Sequence, residues 1–171
     1  MNRIFLSVLF FSIVISSYAQ EKFKATSSIT VSGRLKSPKT FSWAEIRNFK
    51  VYSIGDVAIT NHKGEAKGTA KDLSGILLRD LLQGIALDAE NPKVLSEYYF
   101  TCQATDGYKV VYSWNELFNT AIGNSVYIVV SKDNQPADTL NESILMISTQ
   151  DVHTGRRYVK NLQSIMVRRT E

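Results

Sequence analysis

The chain has 171 residues, a formal charge of +4 and one cysteine. That length accommodates one domain, or two small ones. A hydrophobic fraction of 44% and a charged fraction of 21% exclude a disordered, collagen-like or coiled-coil chain. One Cys excludes an intrachain disulfide framework and a Cys-rich zinc module.

Met1-Asn2-Arg3 is a short basic start. An apolar run over residues 4–15 follows, and then Ser16-Ser17-Tyr18-Ala19. Small residues at Ser17 and Ala19 suit cleavage before Gln20, so residues 1–19 read as a signal peptide. The run is shorter than the roughly 20 residues that a membrane span needs, and no Cys follows it for a lipid anchor. The expectation is an exported protein, periplasmic or secreted. One domain fills residues 20–171, with no membrane span once the signal is removed. The positive balance is too mild to argue for nucleic acid.

Residues 29–33 alternate as a strand, and Ser37-Pro38-Lys39 reads as a turn. Ser42-Trp43-Ala44-Glu45 has the S-x-x-E form of a capping box, which predicts a short helix ending near Asn48. Residues 49–60 read as a strand broken at Gly55, and residues 61–64 as a turn. Gly64 and Gly68 mark a hairpin tip, because the G-K-[ST] ending of a phosphate loop is missing. Leu77, Leu78, Leu81, Leu82 and Ile85 recur at helical spacing, with Arg79, Asp80 and Gln83 on the polar side. Residues 98–105 read as a strand, Asp106-Gly107 as a hairpin turn and residues 108–112 as the return strand. Ser113-Trp114-Asn115-Glu116 repeats the capping box. Residues 126–131 form a buried strand, 132–134 a turn, and 144–148 and 158–167 later strands. Strands outnumber helices, and helices interrupt them irregularly. The predicted class is α+β with a mixed or largely antiparallel sheet and short helices.

Four stretches, in this order, resemble the molybdopterin-binding domain of the sulfite oxidase family. The first is Ile29-Thr30-Val31-Ser32-Gly33-Arg34-Leu35 with Pro38, Phe41-Ser42 and Glu45-Ile46 after it. The second is Leu73-Ser74-Gly75-Ile76-Leu77-Leu78-Arg79-Asp80-Leu81-Leu82. The third is Ala104-Thr105-Asp106-Gly107-Tyr108, with Ser113 and Glu116-Leu117 following. The fourth is Gly155-Arg156-Arg157-Tyr158-Val159-Lys160-Asn161-Leu162, leading into Ile165. The resemblance implies a sulfite oxidase-like fold over residues 20–171 and brings molybdopterin into view as a cofactor.

The departures concern chemistry. In catalytic members of the family a Cys thiolate ahead of the second stretch ligates molybdenum, a role suited to a soft sulfur donor. Residues 54–68 hold no Cys, and Cys102 alternates with Phe100 and Ala104 on one face of a strand, as a buried small hydrophobe would. The family's Pro-and-Arg stretch is replaced by Asn141-Glu142-Ser143-Ile144-Leu145-Met146. The leader carries one Arg, not a twin Arg, so it reads as a general secretory signal, which does not export a protein folded around its cofactor.

By position in the fourth stretch, the resemblance gives Arg157 and Lys160 a part in holding the pterin cofactor. Arg supplies a planar fork and Lys a compact charge, which suits an anion. His153, in the loop just before, is the third candidate. His62 reads as a solvated turn residue. The cluster Arg156, Arg157, Lys160, Arg168 and Arg169 reads either as a solvated strand face or as an anion or partner surface. The leading expectation is an exported, non-catalytic binding or scaffold module for a small anionic ligand or an exported protein partner, with no cofactor. The alternatives are a molybdopterin-dependent oxidoreductase or a subunit of one, and a structural part of an exported assembly.

Overall fold

The computed structural model describes residues 25–171, so the expected signal peptide lies outside the described residues. The strands form two five-stranded sheets. The first has the order β2 (Lys39–Ser42), β1 (Ser28–Gly33), β10 (Leu162–Arg169), β5 (Tyr98–Ala104), β6 (Lys109–Ser113). The second runs β3 (Tyr52–Thr60), β4 (Ala66–Leu77), β7 (Val126–Lys132), β8 (Gln135–Pro136), with β9 (Leu145–Ser148) also paired to β7. Only β1 and β10 pair in parallel, with Val31 opposite Ile165; the other described ladders are antiparallel. The architecture is therefore α+β and largely antiparallel, as the order of the predicted elements implies.

Period-two burial explains the first sheet. On β5, Tyr98, Phe100, Cys102 and Ala104 are buried while Tyr99, Thr101 and Gln103 are partly open. In the second sheet all four residues of β9 are buried. Buried side chains from both sheets form one hydrophobic cluster, in which each fully enclosed Leu or Ile contributes about 1.5–3 kcal/mol of transfer free energy.

Three short helices close the sheet ends: α1 (Trp43–Ile46), α2 (Leu78–Gln83) and α3 (Trp114–Phe118). Both capping boxes form. Ser42 and Glu45 exchange their hydrogen bonds at α1, and Ser113 and Glu116 do so at α3. At α2 the helix begins one residue later than the periodicity suggests, because Leu77 still pairs with Tyr127 as the last residue of β4. The turn at residues 133–134 places Asp133 and Asn134 at φ 52° and 59°, the geometry of a two-residue hairpin loop.

Two expectations need correction. The 12-residue β4 has no counterpart in the sequence reading, which places only a hairpin tip there. The strand expected over residues 158–167 starts at Leu162. Residues 154–157 form a 3-10 turn, and Val159 makes an isolated bridge to Met146. Among the described residues no helix is long and apolar enough to cross a membrane.

Candidate functional site

The segment between β9 and β10 carries the residues singled out from the sequence. It is stapled to β3. Thr154 Oγ1 donates to the Ala58 carbonyl at 2.6 Å and accepts from the Thr60 backbone N–H at 3.1 Å. Gly155 lies over the Thr60 carbonyl so closely that a Cβ would sit 2.5 Å from its oxygen. From the first sheet, Tyr108 Oη donates to the Arg156 carbonyl at 2.6 Å. Residues 154–157 therefore touch both the β3–β4 hairpin and the β5–β6 hairpin.

Adjacent arginines have different surroundings in this turn. Arg157 is half-buried. Its Nε and Nη2 donate to the two oxygens of Asp151 at 2.7 and 2.6 Å, and Nη1 donates to Glu116 Oε1 at 3.1 Å. Its guanidinium also lies 4.4 Å from the centre of the Tyr112 ring, a cation–π arrangement. The Asp151 hydrogen bonds hold the Arg157 guanidinium above its already high ordinary value, against the opposing effect of burial. Asp151 accepts a further bond from Ser148 Oγ at 2.7 Å, and Glu116 caps α3 with its other oxygen. Arg157 thus joins α3, β6 and the end of β9. Arg156 is exposed and has no ionic partner among the described residues.

Lys160 has a separate network. Its ammonium lies 2.6 Å from Glu142 Oε2, and Glu142 Oε1 is held by Lys132. Burial alone pushes the Glu142 carboxyl up, but the hydrogen bonds and charges of Lys132 and Lys160 prevail and leave it below the ordinary 4.5. A carboxyl depressed on folding stabilises the native state above its unfolded value and stops doing so as pH falls through its folded value. Denaturant titrations of the wild type and Glu142→Gln should therefore differ at neutral pH and converge as the pH falls below the ordinary 4.5 and through the depressed folded value. A gap that persists undiminished in acid would show that Glu142 acts by packing instead.

A cleft of about 600 Å3 opens between the β3–β4 hairpin and the 154–158 turn, and its wall includes Thr60, His62, Lys67, Tyr108, Arg156 and Tyr158. A second recess of about 380 Å3 shares Arg156 and includes Asp151, His153 and Arg157. Of the three residues expected at the site, His153 and Arg157 share this second recess, and Lys160 lines neither. His153 Nδ1 is buried without a hydrogen-bond partner among the described residues, and its ring faces Gly64 at the hairpin tip. The remaining basic residues of the predicted cluster lie elsewhere: Arg169 is paired with Glu97 and Glu90. His62, Lys67 and Tyr108 are outside the expected site residues, and Arg156 enters only as one of the basic cluster read as a solvated face or an anion surface. Arg156 adjoins a predicted residue, but no sequence signal shows the 61–68 hairpin folding over residues 155–158.

The donor set does not fit a molybdenum–pterin group held through a protein thiolate. Cys102 is fully buried on β5 of the first sheet, between Ile165 and Val110 on the neighbouring strands. Burial pushes its thiol up to about 12, whereas a metal-binding Cys must deprotonate. Residues 54–68, where the family resemblance puts the ligand, form the β3–β4 hairpin and contain no sulfur.

No family model and no curated protein matches the chain. Solved structures do match it. One is the sulfane dehydrogenase SoxCD from Paracoccus pantotrophus, which is 10% identical with a TM-score of 0.57, over 85% of this chain. The match spans 40% of that chain's length. At this identity the likeness is one of fold, and the fold of the described residues is α+β and sulfite oxidase-like.

Proposed function

We propose that this chain is an exported, non-catalytic binding module built on a sulfite oxidase-like fold. The observation that carries the reading is the burial of its only thiol inside the first sheet. The fold is kept, but the soft donor that molybdenum chemistry needs lies out of reach of every recess at the β3–β4 hairpin. Sulfane dehydrogenation belongs to the much longer SoxCD chain and is not carried over.

The ligand proposed for the module is a small anion. It occupies the cleft beside Arg156, which has no ionic partner among the described residues, with His62 and Lys67 on the opposite hairpin, Lys67 sharing its charge with Glu65 at 3.6 Å. Arg157 and Lys160 already face carboxylates; Arg157 shapes the turn that presents Arg156. His153 flanks the turn.

Two measurements test the reading. Protein purified from its native exported fraction should hold far less than one molybdenum per chain, and stoichiometric molybdenum would overturn the non-catalytic assignment. Titration with inorganic phosphate should give binding that weakens about tenfold in Arg156→Ala, the loss of one charge-assisted contact. Equal affinity in wild type and variant would remove the anion from this cleft.

A further inference from the structure

An open recess with aromatic walls lies away from the basic cleft. A cavity of about 730 Å3 opens between α2, residues 85–95 and α3. Its apolar wall includes Leu82, Ile85, Leu87, Phe100, Trp114 and Phe118. Trp114 and Phe118 are stacked with ring centres 5.4 Å apart and planes 29° apart, and Phe118 meets Phe100 at 6.1 Å. The volume, and an aromatic and aliphatic floor rimmed by Arg79, Asp80, Gln83, Glu90 and Asn91, are those of a small-molecule site.

Charge enters this cavity from adjacent residues of opposite sign, Arg79 and Asp80. Their side chains are about one-third and one-quarter exposed. They come no closer than 3.7 Å between Arg79 Nε and Asp80 Oδ1, which is beyond hydrogen-bond length. The one hydrogen bond to Asp80 is long, 3.5 Å from Tyr52 Oη. Arg79 donates no side-chain hydrogen bond among the described residues. Arg79 and Asp80 form only a loose ion pair at that distance, so guanidinium N–H groups and carboxylate lone pairs remain available beside the apolar floor. Glu90, the other charged residue of the wall, is held by both oxygens to Arg169.

We propose that this cavity binds a small apolar zwitterion, an amino acid with an aromatic or branched aliphatic side chain. The α-carboxylate meets the Arg79 fork, the α-ammonium meets Asp80, and the side chain lies on Trp114 and Phe118. Both charges of the ligand complement both charges of the wall, and the body of the ligand covers apolar surface that is otherwise wet. A site that hydrogen-bonds two groups rejects an analogue lacking either, because a partly desolvated partner is left unpaired.

The test is calorimetric titration of the mature chain with L-phenylalanine, and with phenethylamine and 3-phenylpropionate, which each keep one of its charges. L-Phenylalanine should bind with a Kd below about 1 mM and each analogue about tenfold or more weakly. Asp80→Asn should cost L-phenylalanine about tenfold and leave 3-phenylpropionate unchanged; Arg79→Gln should likewise cost L-phenylalanine about tenfold and leave phenethylamine unchanged. No detectable binding of L-phenylalanine at millimolar concentration, or equal affinity for all three compounds, would overturn the proposal. The analogue series uses the wild type alone, so it decides even if a variant does not fold.

Discussion

Replacing Arg157 with alanine is expected to lower the free energy of unfolding by about 3 kcal/mol, since removal of one partner strands the other charge of a buried pair. Asp151 has only 13% of its side chain exposed and would lose both guanidinium bonds. Glu116 would lose its bond to Nη1, and the Tyr112 ring its cation. For a domain of this size the change corresponds to a melting temperature lower by roughly 6–12 °C. Arg157→Lys should recover less than half, because an ammonium cannot reproduce the two-point bond to Asp151. Glu116→Gln should cost less than Arg157→Ala, since that carboxylate is more exposed, at 32%, and Asp151 keeps its partner. A fall of under about 0.5 kcal/mol for Arg157→Ala, the range of ordinary surface substitutions, would mean that the three segments are held by packing alone.

The second large effect is expected at Gly155. A methyl group there would lie 2.5 Å from the Thr60 carbonyl oxygen, which is backbone and cannot rotate aside. Gly155→Ala should cost about 2–3 kcal/mol, the upper part of the range for forcing volume into a packed site. It should also loosen the 154–157 turn from β3 and so weaken phosphate binding in the adjacent cleft. Gly84→Ala is the control. A Cβ at Gly84 meets nothing within 4 Å, and its φ of −80° suits any residue, so that change should be neutral or slightly stabilising. Equal stability of the two variants by chemical denaturation would contradict the close approach at Gly155.

Features with local causes could be read from the sequence. The capping boxes need two side chains three residues apart, Ser42 with Glu45 and Ser113 with Glu116, and both formed. Asp106-Gly107 turns the chain because Gly107 takes a φ of 85°. Cys102 could be placed inside because strand alternation sets it beside Phe100 and Ala104. By contrast, β4 was invisible over residues 66–72. There its only ladder partner is β3, with one further bond from the Asp133 N–H to the Lys71 carbonyl, and most of its residues are exposed. A ribbon wet on both faces carries no hydrophobic alternation to detect.

The site was legible as a region and not as a set of residues. Arg156 and Arg157 are neighbours of one type, and nothing local says which is enclosed. The difference arises because Asp151, Glu116 and Tyr112 come from three segments brought together by the packing of α3, β6 and the β9 end. In the same way Arg79 and Asp80 looked like the solvated side of an amphipathic helix. They became the wall of a cavity only when α3 and residues 85–95 closed around them.

Class, the two capped helices and the lack of a Cys in residues 54–68 followed from short-range chemistry: alternation, capping and residue identity. Which charges stay free depended on long-range pairing. A cation's capacity to bind a ligand is what remains after nearby carboxylates have taken their share of its field and hydrogen bonds, and those carboxylates are neighbours in space rather than in the chain.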